Sequence, residues 1–515
     1  MTQIRAKEII KAVFIITLFS VITRALGFLF RIYLSWELGA EMLGLYQVAF
    51  SLLGVLMVLV SSGLPLALSK QTAKYNILKR KDKINSSTSA TLIIASFLAI
   101  IISLLVFVFK DLISKVFTDT RCMEILIALL PAVFFTAIYA SFRGSLWGQK
   151  QYFLVGFTEF LEQFLRILIF FLFAFVLTTK LNNAINAAIS LSIACLLSAF
   201  FTMIIYFIKG NKLGKPNQEY RKILNSATPV TGVRVASSLL QPIIAIIIPL
   251  QLISSGLTKE LAMSEFGIAV GMTLPLLFLP STLIGSLAMV LLPELSSLIE
   301  EKNKDLAEKQ INSALKFSIF ISMLVVPLYM GMWEDIGLFI FNNEKSGYYL
   351  MLSAWVMIPM ALSNISSTIL NALGLESKSF KNYIIGAVFL IVSIIFLTKY
   401  IGICALIIGL GGCLTIASIL NLRLMHKKLG FSTNVLSIVT KMGFASMPVL
   451  LLTRFSYNIL SGYMPTFFAL AFGSIIGTLC FVILCWTFKL IDISNFLNLY
   501  KKTKNKSSVY PINNI

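Results

Sequence analysis

The chain has 515 residues, 58% of them hydrophobic, with a mean hydropathy of +0.89 and a formal net charge of +21. A soluble protein of this size cannot hide so much apolar surface, so composition excludes a soluble enzyme and points to one integral membrane body. The basic residues are scattered over many short loops rather than gathered on one face, which argues against nucleic acid as a partner.

In chain order, the first apolar run, 12–34, follows Arg5, Lys7 and Lys11. It is longer than the core of a secretory signal and is interrupted by Arg24 and Arg31, so it reads as a retained helix. Windows of about 20 apolar residues predict fourteen transmembrane helices. They lie at 10–34, 43–68, 88–109, 123–143, 153–178, 184–208, 224–251, 265–292, 310–333, 346–373, 382–399, 402–424, 435–456 and 464–488. The expected fold class is an all-α integral membrane protein. With both termini cytoplasmic, the inner segments and their helix ends carry 31 of the 43 Lys and Arg, and the outer loops carry 8. The positive-inside rule therefore predicts a multi-pass protein of the plasma membrane with both termini inside. The four remaining cations, Arg24, Arg31, Arg166 and Arg234, fall within predicted spans.

Two pairs of helix ends suggest a duplication. SGLPLALSK (62–70) and VLLPELSSL (290–298) place Pro65 and Pro293 228 residues apart. LWGQKQYF (146–153) and ALGLESKSF (372–380) place Gly148 and Gly374 226 apart. The expected organisation is an N-lobe at 1–208, a basic cytoplasmic loop at 209–223 and a C-lobe at 224–428. Helices 13 and 14 follow at 429–490, then a solvated basic tail at 491–515. Two parallel six-helix repeats, related by an axis along the membrane normal, are a frame for alternating access.

The stretch TEFLEQFLRI (158–167) stands out in the fifth span. Glu159, Glu162, Gln163 and Arg166 stand at i, i+3, i+4 and i+7, so a helix keeps them on one face. An Arg at mid-membrane costs roughly 2.5–3.5 kcal/mol on the insertion scale, so it faces a partner or a wet cavity. Arg24 and Arg31 are seven apart on one face, with Gly27 between them. Arg234 lies beside Pro229 and Gly232, and Arg166 is one turn from Glu162, close enough to pair. Four cations against Glu159 and Glu162 leave positive charge over, and the guanidinium fork suits an anion such as pyrophosphate. Structural alternatives stay open: a shallow, snorkelling Arg24, and a Glu162–Arg166 pair that only holds its helix.

Other signals are weaker. Gln47, Gln241, Asn364 and Asn371 would line the same cavity or bond between helices. Pro275 and Pro280 predict a kink in the eighth span. The six cysteines, at 122, 195, 404, 413, 480 and 485, lack C-x-x-C or zinc spacing and read as small packing residues. His426, in RLMHKK, reads as part of a basic anchor. No catalytic residue and no metal ligand is assigned.

TRALGFLFR, GLYQVAF, GLPLALSK and TEFLEQFLR together resemble the polysaccharide-exporter branch of the MATE-like (MOP) flippase superfamily. Within it the chain is most similar to the stage V sporulation protein B group, related to the lipid II flippase MurJ. The resemblance covers about 10–490. It implies a MATE-like fourteen-helix body whose lobes surround a cavity, and a flippase rather than an enzyme. The cargo would be an undecaprenyl-pyrophosphate-linked sugar precursor, most readily peptidoglycan lipid II for the spore cortex, carried from the cytoplasmic to the outer leaflet. Cell-wall or spore-cortex synthesis machinery would be the partner.

By motif position Arg24 matches the first helix 1 arginine of that family, whereas Arg31 stands one position further on than is typical. Glu162, Gln163 and Arg166 fit, and Thr158-Glu159 replaces the more usual Ser-Gln. The resemblance thus implies a cavity of Arg24, Arg31, Arg234, Arg166, Glu162 and Gln163. Glu159 and Glu162 are candidates for ion coupling. No cofactor is expected beyond a coupling cation, H+ or Na+, or the membrane potential.

Three rival functions remain at this point. One is a flippase for another cell-wall or capsular precursor. Another is an ion-coupled exporter of cationic drugs, which predicts an excess of buried acids. A membrane enzyme such as a glycan polymerase is the third, and short outer loops without a catalytic motif argue against it; a non-transporting scaffold would leave the buried arginines unexplained.

Overall fold

The computed structural model describes residues 2–176, 180–216, 219–301, 303–430, 434–488 and 490. The predicted tail, 491–515, lies outside them. The described elements are helical, and twelve of these helices are long and apolar enough to cross a membrane. One of the twelve, Leu18–Ile77, holds two predicted spans, and the charged Tyr152–Val176 helix holds another, so a count of fourteen is consistent with the structure.

By internal packing the chain forms two compact units. The first comprises Met1–Met272 with Ile394–Ile403, and the second Thr273–Ser393 with Cys404–Ile515. The first unit begins with α1 (Thr2–Ser61), α2 (Gly63–Ile77), α3 (Lys81–Val108), α4 (Lys110–Ser114) and α5 (Arg121–Gly148). It continues through α6 (Tyr152–Val176), α7 (Lys180–Ile208), α8 (Glu219–Ser238), α9 (Leu240–Ser254) and α10 (Lys259–Phe266). The second holds α11 (Leu274–Phe278), α12 (Ser281–Glu300), α13 (Lys304–Gly331), α14 (Trp333–Phe341) and α15 (Glu344–Ser353). After these come α16 (Met357–Ala372), α17 (Glu376–Ile401), α18 (Cys404–Leu429), α19 (Val435–Leu460) and α20 (Thr466–Thr487), with the end of α17 packing in the first unit.

At 1.5 Å per residue, a straight α1 would run about 90 Å, roughly three hydrocarbon cores. Gly39 prevents this: its φ of 70° and ψ of 176° interrupt the helix and divide it into two spans. That backbone region is open to glycine and closed to residues with a Cβ. Just beyond the kink, α1 meets α10 through two more glycines. A Cβ on Gly44 would collide with the Met263 carbonyl, and one on Gly267 with the Ala40 carbonyl. Small residues let two backbones touch, which is how helices associate where lipid competes for apolar side chains.

The predicted eighth span is not a single kinked helix. After α10 the chain takes a π-helical turn over Gly267–Thr273, then the short α11, a turn at 279–280 and α12. Pro275 and Pro280 donate no backbone hydrogen bond, and a widened turn absorbs the loss. The predicted seventh span divides in the same way at Leu239 into α8 and α9, with Pro242 in the first turn of α9.

Packing groups α8, α9 and α10 with the first unit, although the expected lobe boundary is at 209–223. One contact that ties α8 there is buried. Glu219, at 1% exposure, accepts hydrogen bonds from Tyr75 Oη at 3.0 and 3.1 Å, Ser87 Oγ at 3.2 Å and Lys222 Nζ at 2.9 Å. The two glycines that marked the repeat do different work. Gly148 brings α5 against Ser69 and Thr72 of α2, whereas Gly374 carries a positive φ of 70° just past α16.

Candidate functional site

The polar face of α6 is where the sequence places it, and it packs against α1, α5 and α7 within the first unit. Its first member, Thr158, is buried. It accepts a long 3.5 Å hydrogen bond from Tyr139 Oη and donates to the Val155 carbonyl at 2.9 Å. Glu159 forms an ion pair with Arg143 Nη1 of α5 at 2.9 Å. Arg143 also lies over the Tyr139 ring, 5.7 Å from its centre.

Glu162 faces α7. Its Oε1 accepts from the Cys195 thiol at 3.8 Å, and Cys195 Sγ in turn accepts from Thr136 Oγ1 at 3.5 Å. Arg143 and Arg166 both act on Glu162 electrostatically. The expected direct Glu162–Arg166 pair is not formed: among the described residues no ion pair within 4.0 Å joins them. Arg166 instead crosses to α1, where its Nη2 donates to Tyr46 Oη at 2.8 Å. Its guanidinium lies 4.9 Å from the centre of the Phe30 ring and 5.6 Å from that of Phe50. An aromatic box with a phenol acceptor offers Arg166 both π faces and a hydrogen bond, and it outcompetes the neighbour one turn away.

Two donors on this face are buried with no hydrogen-bond partner, Gln163 Nε2 and Arg166 Nε. Gln163 lies against Gly27 of α1, whose missing side chain leaves it room: a Cβ there would stand 3.7 Å from Nε2. Arg31 is partly buried and within electrostatic reach of Arg166 and Tyr46. It has no ion-pair partner among the described residues. Buried donors are normally paired, so these mark the place where an acceptor is wanted.

The structure thus gathers Arg31, Glu159, Glu162, Gln163 and Arg166 into one wall. Arg24 and Arg234 belong to the same unit and stand exposed, on α1 and α8. Sequence reasoning missed Arg143, which was counted as an inner helix-end charge. Its signal was Tyr139 one turn earlier, an aromatic partner at i−4. Tyr46 lies in the quoted GLYQVAF stretch, yet nothing local marks it as the acceptor for a residue 120 positions on. Three arginines against two glutamates leave the wall positive.

A second ionic group sits where the Gly39 bend of α1 meets the first turns of α5 and α7. Arg121 Nη2 donates to Glu41 at 2.7 Å and to Asp119 at 2.8 Å, and Asn183 Nδ2 donates to Glu37 at 2.9 Å. Partial burial pushes the Asp119 carboxyl up, but the hydrogen bonds and charge of Arg121 outweigh it and hold the group below the usual carboxylate range. These contacts join the bend at Gly39 to the first turn of α5. Among the described residues, no group of three or more His, Cys, Asp or Glu side chains is assembled as a metal site.

Known proteins resemble this chain in sequence and in fold. Stage V sporulation protein B of Bacillus subtilis (strain 168) is 23% identical over 392 residues, 73% of this chain and 75% of that protein. Sporulation protein YkvU of the same organism is 23% identical over 359 residues, covering 67% of this chain and 78% of the relative. Among solved structures, lipid II flippase MurJ in an inward closed conformation superposes with a TM-score of 0.67 at 18% identity. That match covers 92% of this chain and 98% of MurJ. An inward-facing multidrug resistance MATE transporter of the MOP superfamily also scores 0.67, at 16% identity, over 79% of this chain and 94% of its own. At these identities the structural likeness is one of fold, which the chain shares with MurJ and the MATE transporter. The model of the polysaccharide biosynthesis protein family matches residues 9–299, more than half of the chain, and the chain belongs to that family.

Proposed function

We propose that the chain is an alternating-access flippase that carries an undecaprenyl-pyrophosphate-linked sugar precursor from the cytoplasmic to the outer leaflet. Peptidoglycan lipid II is the first candidate cargo, and the likeness to stage V sporulation protein B favours a role in building the spore cortex with its synthesis machinery. The observation that carries this reading is the surplus of donors on the α1–α6 wall. Arg31 lacks a counter-ion among the described residues, and Gln163 Nε2 and Arg166 Nε lack acceptors. A diphosphate supplies both charge and acceptors.

In this reading the exposed Arg24 and Arg234 draw the anionic head in, and Arg31 with Gln163 receives it. Arg143 neutralises Glu159, so Glu162 is left as the acid for a coupling cation, H+ or Na+. An inside-negative membrane potential adds roughly 2.3 kcal/mol per charge per 100 mV in favour of anion exit. The proposal includes the plasma membrane, both termini cytoplasmic and two six-helix repeats. Export of cationic drugs needs free acids, and the Arg143–Glu159 pair removes one of the two on this wall.

The test is transbilayer movement in proteoliposomes, with lipid II and an undecaprenyl-linked sugar lacking the peptide, for wild type, Arg24→Ala and Arg31→Ala. Movement of lipid II by wild type and its loss in the folded variants supports the reading. Movement of the peptide-free lipid alone overturns the cargo, and movement of neither lipid under any gradient overturns the flippase.

A further inference from the structure

In the second unit an open cavity of about 420 Å³ lies between the third and fourth turns of α13 and the first two turns of α19. Its charged lining is two lysines on different helices, Lys316 and Lys441. Asn312, Asn434 and Ser437 supply further polar groups, and no carboxylate takes part. Neither lysine has an ion-pair partner among the described residues. Asn434 is the N-cap residue of α19, yet its side chain makes no capping bond. Ile438 and Met442 add apolar surface beside the charges.

The surroundings of α19 indicate what fills such a site. Only 17% of its most apolar window is buried within the protein, so the helix faces lipid. From Lys441 to Leu460, at the end of the helix, is about 28 Å, close to one hydrocarbon core. Lys441 therefore stands where the acyl region ends and headgroups begin. Two ammonium groups at that level attract anionic headgroups, each worth about 1 kcal/mol near the surface. We propose that this cavity binds the phosphate headgroup of an anionic membrane phospholipid, with Lys316 and Lys441 as its charge partners and the acyl chains lying along α19. This site lies apart from the α1–α6 wall and does not depend on which cargo that wall carries.

The experiment uses the full chain in a neutral detergent, titrated with phosphatidylglycerol, with phosphatidylcholine or with inorganic phosphate. Bound lipid is counted by native mass spectrometry and the unfolding temperature is recorded. Phosphatidylglycerol binds and raises the unfolding temperature of wild type. Lys316→Gln/Lys441→Gln weakens that binding by about thirtyfold, the scale of two lost surface charges. Lys427→Gln/Lys428→Gln, which removes two exposed charges at the end of α18, leaves it unchanged. Lys316→Arg/Lys441→Arg, which keeps the charge, retains binding and guards against a folding defect in the Gln variant. Equal binding by wild type and the Lys316→Gln/Lys441→Gln variant overturns the site. Equal stabilisation by phosphatidylcholine overturns the headgroup charge as its basis, and stabilisation by inorganic phosphate alone overturns a lipid occupant.

Discussion

Arg166 donates a 2.8 Å hydrogen bond to the phenol of Tyr46, and its guanidinium lies between Phe30, before the Gly39 bend, and Phe50, after it. One side chain on α6 thus spans both arms of α1. It ties the arm that carries Arg31 to the arm beyond the bend.

Replacing Arg166 should therefore loosen the fold as well as change transport. Arg166→Ala loses a charged hydrogen bond and two ring contacts, a cost of about 2–4 kcal/mol. Arg166→Lys keeps the charge but not the planar fork, and falls between wild type and Ala. Thermal unfolding in detergent checks this. Tyr46→Phe combined with Arg166→Ala should cost less than the two single changes added, because they break the same bond.

The Arg143–Glu159 pair should show the asymmetry of ion pairs in apolar surroundings. Arg143→Ala leaves Glu159 without its partner, at a cost of about 1–2 kcal/mol. Arg143→Ala/Glu159→Ala removes both charges and recovers much of that loss. A double variant whose loss equals the summed losses of Arg143→Ala and Glu159→Ala would show that the pair contributes nothing beyond its parts.

Two glycines of α1 should respond oppositely to an added methyl group. At Gly27 a Cβ meets only Gln163 at an ordinary contact distance, so Gly27→Ala is tolerated and gains about 0.5–1 kcal/mol from helix propensity. At Gly44 the Cβ strikes the Met263 carbonyl, and Gly44→Ala costs about 1–3 kcal/mol through overpacking. Unfolding temperatures of the two variants, measured side by side, decide it.

Acid should weaken the ionic group at the Gly39 end. The Asp119 carboxyl has its pKa lowered by Arg121, so the folded state binds its proton less readily than the unfolded chain does. Its contribution is complete above the unfolded value of about 3.9 and is lost as pH falls through the lower folded value. The unfolding temperature of wild type should drop across that window, and Asp119→Asn should remove this part of the dependence. An unchanged slope in the variant would assign the drop to other groups.

The amino-acid sequence by itself determined the membrane class, the approximate spans and the charged stripe on α6. These are local properties: hydropathy over about 20 residues, and a helical period that sets Glu159, Glu162, Gln163 and Arg166 on one face. Gly27 was legible for the same reason, as a small residue between two arginines on one helix. Partner choice was not local. Arg166 turned from Glu162, one turn away, to Tyr46 on another helix, and Glu159 found Arg143, which looked like a helix-end charge. The divisions at Leu239 and Gly267–Thr273 were likewise decided in three dimensions, although the prolines near them were visible in the sequence. A proline announces that a backbone hydrogen bond is lost, but neighbouring helices decide whether the chain bends, widens into a π turn or stops. Which side chain completes a buried charge depends on which helices touch, and only the folded chain holds that information.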